Sequence, residues 1–161
     1  MQTIKIEATR PMTFHIRKAT AADLKSLVSF AVAEAKEAEG VKKDSERVRQ
    51  GVTTALNDDS IAMYWVLEKN NSGVIGSVSI VKEWSDWNSG YYWWIQNMYI
   101  MPAFRGKGLM QRLIQALKDT AQQEGALELR LYVHKNNAQA ISAYQKVGFF
   151  DADYRIMTMS L

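Results

Sequence analysis

Apolar and polar positions along the chain alternate in two rhythms. Residues 13–19 (TFHIRKA) change polarity every second position, as a half-buried strand does. From Thr20 the period lengthens. Leu24, Leu27, Val28, Ala31 and Val32 fall on one helical face, Thr20 and Asp23 have capping-box spacing, and Gly40 closes the helix. A second helix starts at Asp44 or Ser45, with Val48, Val52, Ala55 and Leu56 as its stripe. Residues 61–68 and 74–84 read as two strands of a hairpin around the Asn70-Asn71-Ser72-Gly73 turn. After a turn at 86–90, residues 91–101 form a third long strand that Pro102 ends, since proline has no N–H for the ladder. Leu109, Met110, Leu113, Ile114, Leu117 and Ala121 define the clearest helix, over 109–123. A short strand at 127–133, a helix at 138–147 closed by Gly148, and a final strand at 154–161 complete the order. Neither a repeat nor a linker interrupts it. The expectation is an N-terminal tail at 1–12 and a single mixed α/β domain over 13–161.

Between the third long strand and the clearest helix lies Met101-Pro102-Ala103-Phe104-Arg105-Gly106-Lys107-Gly108-Leu109-Met110. Gly106 and Gly108 remove side chains from the turn. The helix start leaves backbone N–H groups unpaired and carries partial positive charge, and Arg105 and Lys107 add two full charges. Such a turn suits a phosphate or pyrophosphate. It is not a P-loop, because Gly108 rather than Ser or Thr follows Lys107. Nor is it a dinucleotide fingerprint, because Gln111 stands where the third glycine belongs. On its own it reads equally well as a tight strand-to-helix turn.

A second motif changes that balance. Residues 137–149 show Asn137-x-x-Ala140-x-x-x-Tyr144-x-x-x-Gly148-Phe149. This spacing resembles the GNAT superfamily of acyl-CoA-dependent N-acyltransferases, and the turn from Arg105 to Met110 resembles that family's pyrophosphate motif. The order and separation of the two motifs also match, and the likeness runs over nearly the whole of 13–161. The Trp93-Trp94-Ile95-Gln96-Asn97-Met98-Tyr99-Ile100 run looks like a branch of mostly uncharacterised bacterial members. Met110 departs from the pattern, which has Gly or Ala there, and a methionine at that place must bend away or point into the core.

The resemblance implies a mixed, mostly antiparallel sheet flanked by helices, with a V-shaped cleft between two strands around the cofactor. It implies acetyl-CoA as that cofactor, the pantetheine arm along Met98, Tyr99 and Ile100, and the pyrophosphate on Arg105, Gly106, Lys107, Gly108, Leu109 and Met110. Asn137 would contact the pantetheine arm or order its loop, and it reads equally well as a helix cap. Tyr144 holds the family's general-acid position. The implied reaction is direct attack of a primary amine, of a small molecule or of a peptide or protein, on the thioester. An acyl-CoA-binding regulatory or structural module without catalysis is the alternative.

The base is not specified by the motifs. Gln96 and Asn97 lie where many relatives carry a carboxylate, and amides cannot take a proton. Glu83 and Asp86 on or near the neighbouring strand, and His134 after the short strand, are the candidates, each also readable as a surface residue. Trp84, Trp87, Tyr91, Tyr92, Trp93 and Trp94 crowd one hairpin. They read as core and a dimer contact, or in part as an acceptor pocket in which Trp84, Trp93, Trp94 and Gln96 meet a cationic or aryl amine.

Composition narrows the classes further. A net charge of +3 without a long basic run gives no nucleic-acid footprint. No run approaches the roughly 20 apolar residues of a membrane span. With 0 cysteines and 2 histidines far apart, neither a disulfide framework nor a metal site is expected. The remaining expectation is a cytoplasmic monomer or homodimer with an amine-bearing acceptor.

Overall fold

The computed structural model describes residues 13–161, and the tail expected at 1–12 lies outside the described residues. Five strands, β1 (Phe14–Lys18), β2 (Met63–Lys69), β3 (Gly73–Ser85), β4 (Gly90–Ile100) and β5 (Glu128–Leu131), form one sheet in the order β1-β2-β3-β4-β5. Each neighbouring pair from β1 to β4 is antiparallel, as short turns allow. The β4–β5 pair is parallel, because helix α3 (Leu109–Gln123) makes the crossover.

Helices α1 (Leu24–Glu39) and α2 (Ser45–Leu56) cover one face of the sheet, where Leu27, Val28 and Val52 pack on Val66. The opposite face packs Met63, Val78, Ile80, Trp93 and Ile95 against Leu113, Leu117 and Ala121 of α3. The last helix, α4, runs Ala138–Lys146. A single turn of 3-10 helix at Ala21–Asp23 leads into α1, and Thr20 donates its N–H to the Asp23 carboxylate at 2.8 Å. Arg17 of β1 holds the same carboxylate through two nitrogens, at 2.8 and 2.9 Å, so the start of α1 is tied to the sheet. At its other end α1 stops at Gly40, whose φ of 67° is the left-handed cap conformation.

The predicted mixed sheet with flanking helices is therefore the observed fold. The exception is the final strand expected at 154–161. These residues form no strand and are exposed along their whole length. Their alternating pattern is strand-like, but a strand exists only when its backbone finds a neighbour, and among the described residues the segment pairs with neither sheet edge. The short strand expected at 127–133 is also trimmed, to Glu128–Leu131.

Candidate active site

The parallel pairing of β4 with β5 covers only Tyr92 to Ile95 against Glu128 to Leu131. Beyond Ile95, β4 keeps β3 on one side, where Asn97 to Ile100 pair with Ser79 to Gly76, and among the described residues has no strand on the other. A wedge thus opens at Gln96. The register explains the place. Ser79 pairs with Asn97 and Ile80 with Ile95, leaving Gln96 as the extra residue of a β-bulge. Asn97 donates its N–H to the Ser79 hydroxyl at 3.2 Å. One inserted residue also reverses the alternation of β4. Trp93 and Ile95 face α3, but beyond the bulge it is Met98 and Ile100 that do so. Asn97 and Tyr99 turn to the α1 face, where they line a small cavity with Leu27, Phe30, Ala31 and Glu34.

The sequence from the open end of β4 leads straight into the glycine-rich turn. Met101 donates to the Ile75 carbonyl at 2.9 Å, and a 3-10 turn at Pro102–Phe104 follows. Gly106 and Gly108 have φ of 74° and 72°, and a Cβ on Gly106 would meet no atom within 4 Å. Helix α3 closes its first internal bond from Arg112 N–H to the Gly108 carbonyl, at 3.2 Å. The N–H groups of Leu109, Met110 and Gln111 therefore precede the ladder and point out of the helix start. Met110 does not obstruct them. Its side chain packs inward, with Phe104, on the cluster of Leu67, Ile75, Ile100 and Leu109. The turn fits a pyrophosphate through backbone donors.

Its charged side chains are occupied elsewhere. Arg105 donates to the Ile100 carbonyl and to Glu37 of α1, both at 2.7 Å, and its guanidinium lies over the Tyr99 ring. Lys107 folds back towards the Ala103 carbonyl and the Phe104 ring. Arg105 thus ties the turn to the end of β4 and to α1.

Two titratable groups meet at the wedge. Tyr144, on α4, packs edge-on against Phe149. Burial pushes its phenol up to about 12, and the charge of Glu34 adds to that shift. Glu34 comes from α1. One carboxylate oxygen, Oε1, accepts the Met98 N–H at 3.2 Å, while Oε2 is buried without a hydrogen-bond partner. Burial raises this carboxyl to about 7; the Met98 bond opposes the shift and the charges of Glu37 and Glu39 add to it. Sequence reasoning missed Glu34. The signal was there: it lies four residues after Phe30 and three after Ala31, inside the stripe that faces the sheet.

The remaining candidates lie elsewhere. Asn137 caps α4, accepting the Ala140 N–H at 3.1 Å. Glu83 is exposed near the turn end of the β3–β4 hairpin, where it accepts the Trp94 indole N–H. Asp86 is exposed in the turn itself, and His134 is exposed in the loop after β5, its Nδ1 accepting the Asn136 N–H at 3.3 Å. Neither Glu83 nor His134 is among the charges that act on the Tyr144 phenol. Trp93 is a correction: at 1% exposure it is a core residue stacked on Trp65 and offers no surface to a ligand. Trp84 and Trp87 are exposed at the hairpin tip. Trp94 stacks on Tyr132, with Arg130 over the neighbouring Tyr92 ring, and Gln96 is exposed at the bulge.

A sheet that parts at a bulge, beside a glycine-rich helix start and a half-buried tyrosine, defines an acyl-CoA-type transferase architecture. The family model described as "Acetyltransferase (GNAT) family" matches residues 26–149, and the chain belongs to this family. Among solved structures, a possible acetyltransferase from Clostridium difficile 630 is 30% identical with a TM-score of 0.86, covering 92% of this chain and 97% of that one. A predicted acetyltransferase from Clostridium acetobutylicum, solved with acetyl-CoA, shares the fold at 23% identity and a TM-score of 0.74, covering 91% and 96%. The uncharacterized N-acetyltransferase YdgE of Bacillus subtilis is 39% identical over 62 residues, which is 38% of this chain and 40% of YdgE. The chain spans half or less of the length of the curated relatives it matches.

Proposed function

We propose that this protein transfers an acetyl group from acetyl-CoA to a primary amine of a small molecule or of a peptide or protein, by direct attack of the amine. The observation that carries the reading is the convergence of Glu34 and Tyr144 on the wedge beyond Ile95, at the end of which the α3 N–H groups stand free. Acetyl-CoA, when bound, supplies a thioester as the activated acetyl donor.

The chain's own groups divide the work. Residues 105–110 bind the pyrophosphate through backbone N–H groups and the positive end of α3. The β5-side edge of β4 at Met98, Tyr99 and Ile100 offers main-chain donors and acceptors to an extended arm, as an open sheet edge does to an added strand. Tyr144 stays protonated at neutral pH and donates to the departing thiolate. Glu34, with its carboxyl near 7, accepts the proton of the incoming ammonium. When Glu34 turns to the amine it releases the Met98 N–H, which then points at the oxygen where negative charge develops. Glu83 serves this reaction less well. Its strand partner Tyr92 is six residues from Met98, roughly 20 Å at about 3.3 Å per residue.

The acceptor enters from the α1 face, past Trp94 and Gln96, where aromatic rings and the Glu83 carboxylate suit a cationic amine. A chain with 0 cysteines needs no oxidising compartment to form disulfides, and we place the reaction in the cytoplasm. Calorimetric titration with coenzyme A tests the binding half of the reading: binding that Gly108→Val abolishes supports it, and no binding to the unmodified protein removes it.

A further inference from the structure

Strand β3 is buried on both faces from Ile75 to Ile80. A doubly buried strand ordinarily reads as an unbroken apolar run. Val78 and Ile80 keep that rule on the α3 face, but Ser77 and Ser79 stand on the α1 face at 7% and 1% exposure. A buried hydroxyl needs a partner. Ser79 finds one across the ladder, where its Oγ accepts the Asn97 N–H at 3.2 Å, at the first residue past the Gln96 bulge. The next N–H along β4, that of Met98, goes to Glu34 Oε1 at 3.2 Å. Successive N–H groups of a strand leave it on opposite sides, so a hold on the first sets the direction of the second. Ser79 and Glu34 also line one cavity of about 10 Å³. The short side chain of serine leaves that room, whereas valine would fill it and offer no acceptor.

We propose that Ser79 is a positioning residue for the acetyl transfer: by holding the Asn97 N–H on the β3 side of the bulge, its hydroxyl keeps the Met98 N–H aimed at Glu34. The inference rests on the reading of Glu34 as the base. A bulge is the place where β4 can slip by one residue, because the extra residue can sit at either of two neighbouring positions. A slip would exchange the roles of the two N–H groups, turning that of Met98 towards β3 and leaving Glu34 without its donor. Ser79 selects one register, since its Oγ meets this N–H only when Asn97 is its partner. The Glu34 carboxyl reports that register. The Met98 bond opposes its upward shift, and without the bond the shift grows. The other titratable groups around Glu34 are Glu37 and Glu39 on its own helix, Arg105 paired with Glu37, Tyr64 of β2, Tyr99 of β4 and Tyr144 of α4. A change at Ser79 alters the charge of none of them.

Ser79→Ala removes the acceptor, and Ser79→Cys keeps nearly the same shape with a sulfur that accepts weakly. Carbon-13 NMR of the Glu34 carboxyl, in the protein alone, should place its midpoint about one to two pH units higher in both variants than in the unmodified chain. That is the worth of one hydrogen bond to a charged group. The backbone amides of Asn97 and Met98 should exchange with solvent faster. Turnover should fall about 10-fold at pH 7, where the variant carboxyl keeps its proton, and by less at pH 9, where it has lost it. A fold that was merely loosened would lower turnover by one factor at both pH values. An unmoved Glu34 midpoint in both variants, or an equal loss at pH 7 and pH 9, would overturn the proposal. If the alanine variant does not fold, the cysteine variant decides. The titration needs neither acetyl-CoA nor an acceptor, so it fails independently of the proposed reaction, which turnover of Glu34→Gln decides.

Discussion

Glu34 of α1 accepts the backbone N–H of Met98 on β4 at 3.2 Å, joining a helix carboxylate to the strand at the point where the sheet parts. The bond depends on the bulge at Gln96 and on the missing β5 neighbour beyond Ile95, which leave that N–H outside the sheet ladder. It also keeps a carboxyl of raised pKa next to a tyrosine of raised pKa.

Replacement of Glu34 by Gln is therefore expected to lower kcat about 10²-fold or more, the ordinary contribution of a general base, with KM for acetyl-CoA changed little. The unmodified enzyme should gain activity as pH rises through about 7, where Glu34 loses its proton, and the variant should lack that limb. A pH–rate profile with the same rising limb in both proteins would exclude Glu34 as the base.

The same shift has a stability consequence of definite sign. The Glu34 carboxyl titrates near 7 when folded and at its ordinary 4.5 when unfolded, so between these values the folded state holds a proton that the unfolded state has released. Stability should fall as pH rises across that window and level off above it. Glu34→Gln should remove this dependence and be more stable at pH 8 by roughly 3 kcal/mol, from about 1.4 kcal/mol per pH unit. Denaturant melts of both proteins at pH 5 and pH 8 measure it.

Tyr144→Phe should reduce turnover about 10²-fold while leaving coenzyme A affinity within a few-fold, since the phenol acts on the leaving group. Burial holds the phenol near 12, so the unmodified enzyme should show no falling acid limb below pH 10. Unchanged turnover in the variant would remove Tyr144 as the acid.

Gly76 sits where β3 passes closest to the open part of β4, and a Cβ there would stand 2.7 Å from the Tyr99 carbonyl oxygen. Neither backbone can yield without disturbing the ladder that carries Met98 to Ile100. Gly76→Ala should cost about 1–3 kcal/mol and lower Tm by several degrees, measurable by calorimetry. Lys107→Ala touches no such contact. It should weaken coenzyme A binding only a few-fold, an effect that fades as salt screens the exposed charge.

Much of this was legible in the residues. The stripes Leu27–Val28–Ala31 and Leu109–Leu113–Leu117 gave the helices and their inward faces, and Gly106–Lys107–Gly108 with Asn137–Tyr144 gave the family. What escaped depends on partners distant in sequence. The bulge at Gln96 comes from the register of β4 against β3, which no local pattern encodes, and it reverses which of Asn97 and Met98 faces α1. Glu34 looks like one more charge on a charged helix until the register leaves the Met98 backbone N–H outside the ladder, where Glu34 accepts it. Arg105 read as a phosphate ligand, yet Glu37 and the Ile100 carbonyl claim its guanidinium. Residues 154–161 had a strand's alternation without a strand's neighbour.

The central claim is chemical, and the most direct test is turnover. The protein is incubated with acetyl-CoA and a panel of small amines, peptides with free amino termini and lysine-bearing proteins, with free thiol and acetylated product followed together. The account predicts stoichiometric release of thiol and appearance of the N-acetyl product with at least one class of amine, lost in Glu34→Gln. Tight coenzyme A binding with no thiol release on any acceptor would contradict it and leave an acyl-CoA-binding module in its place.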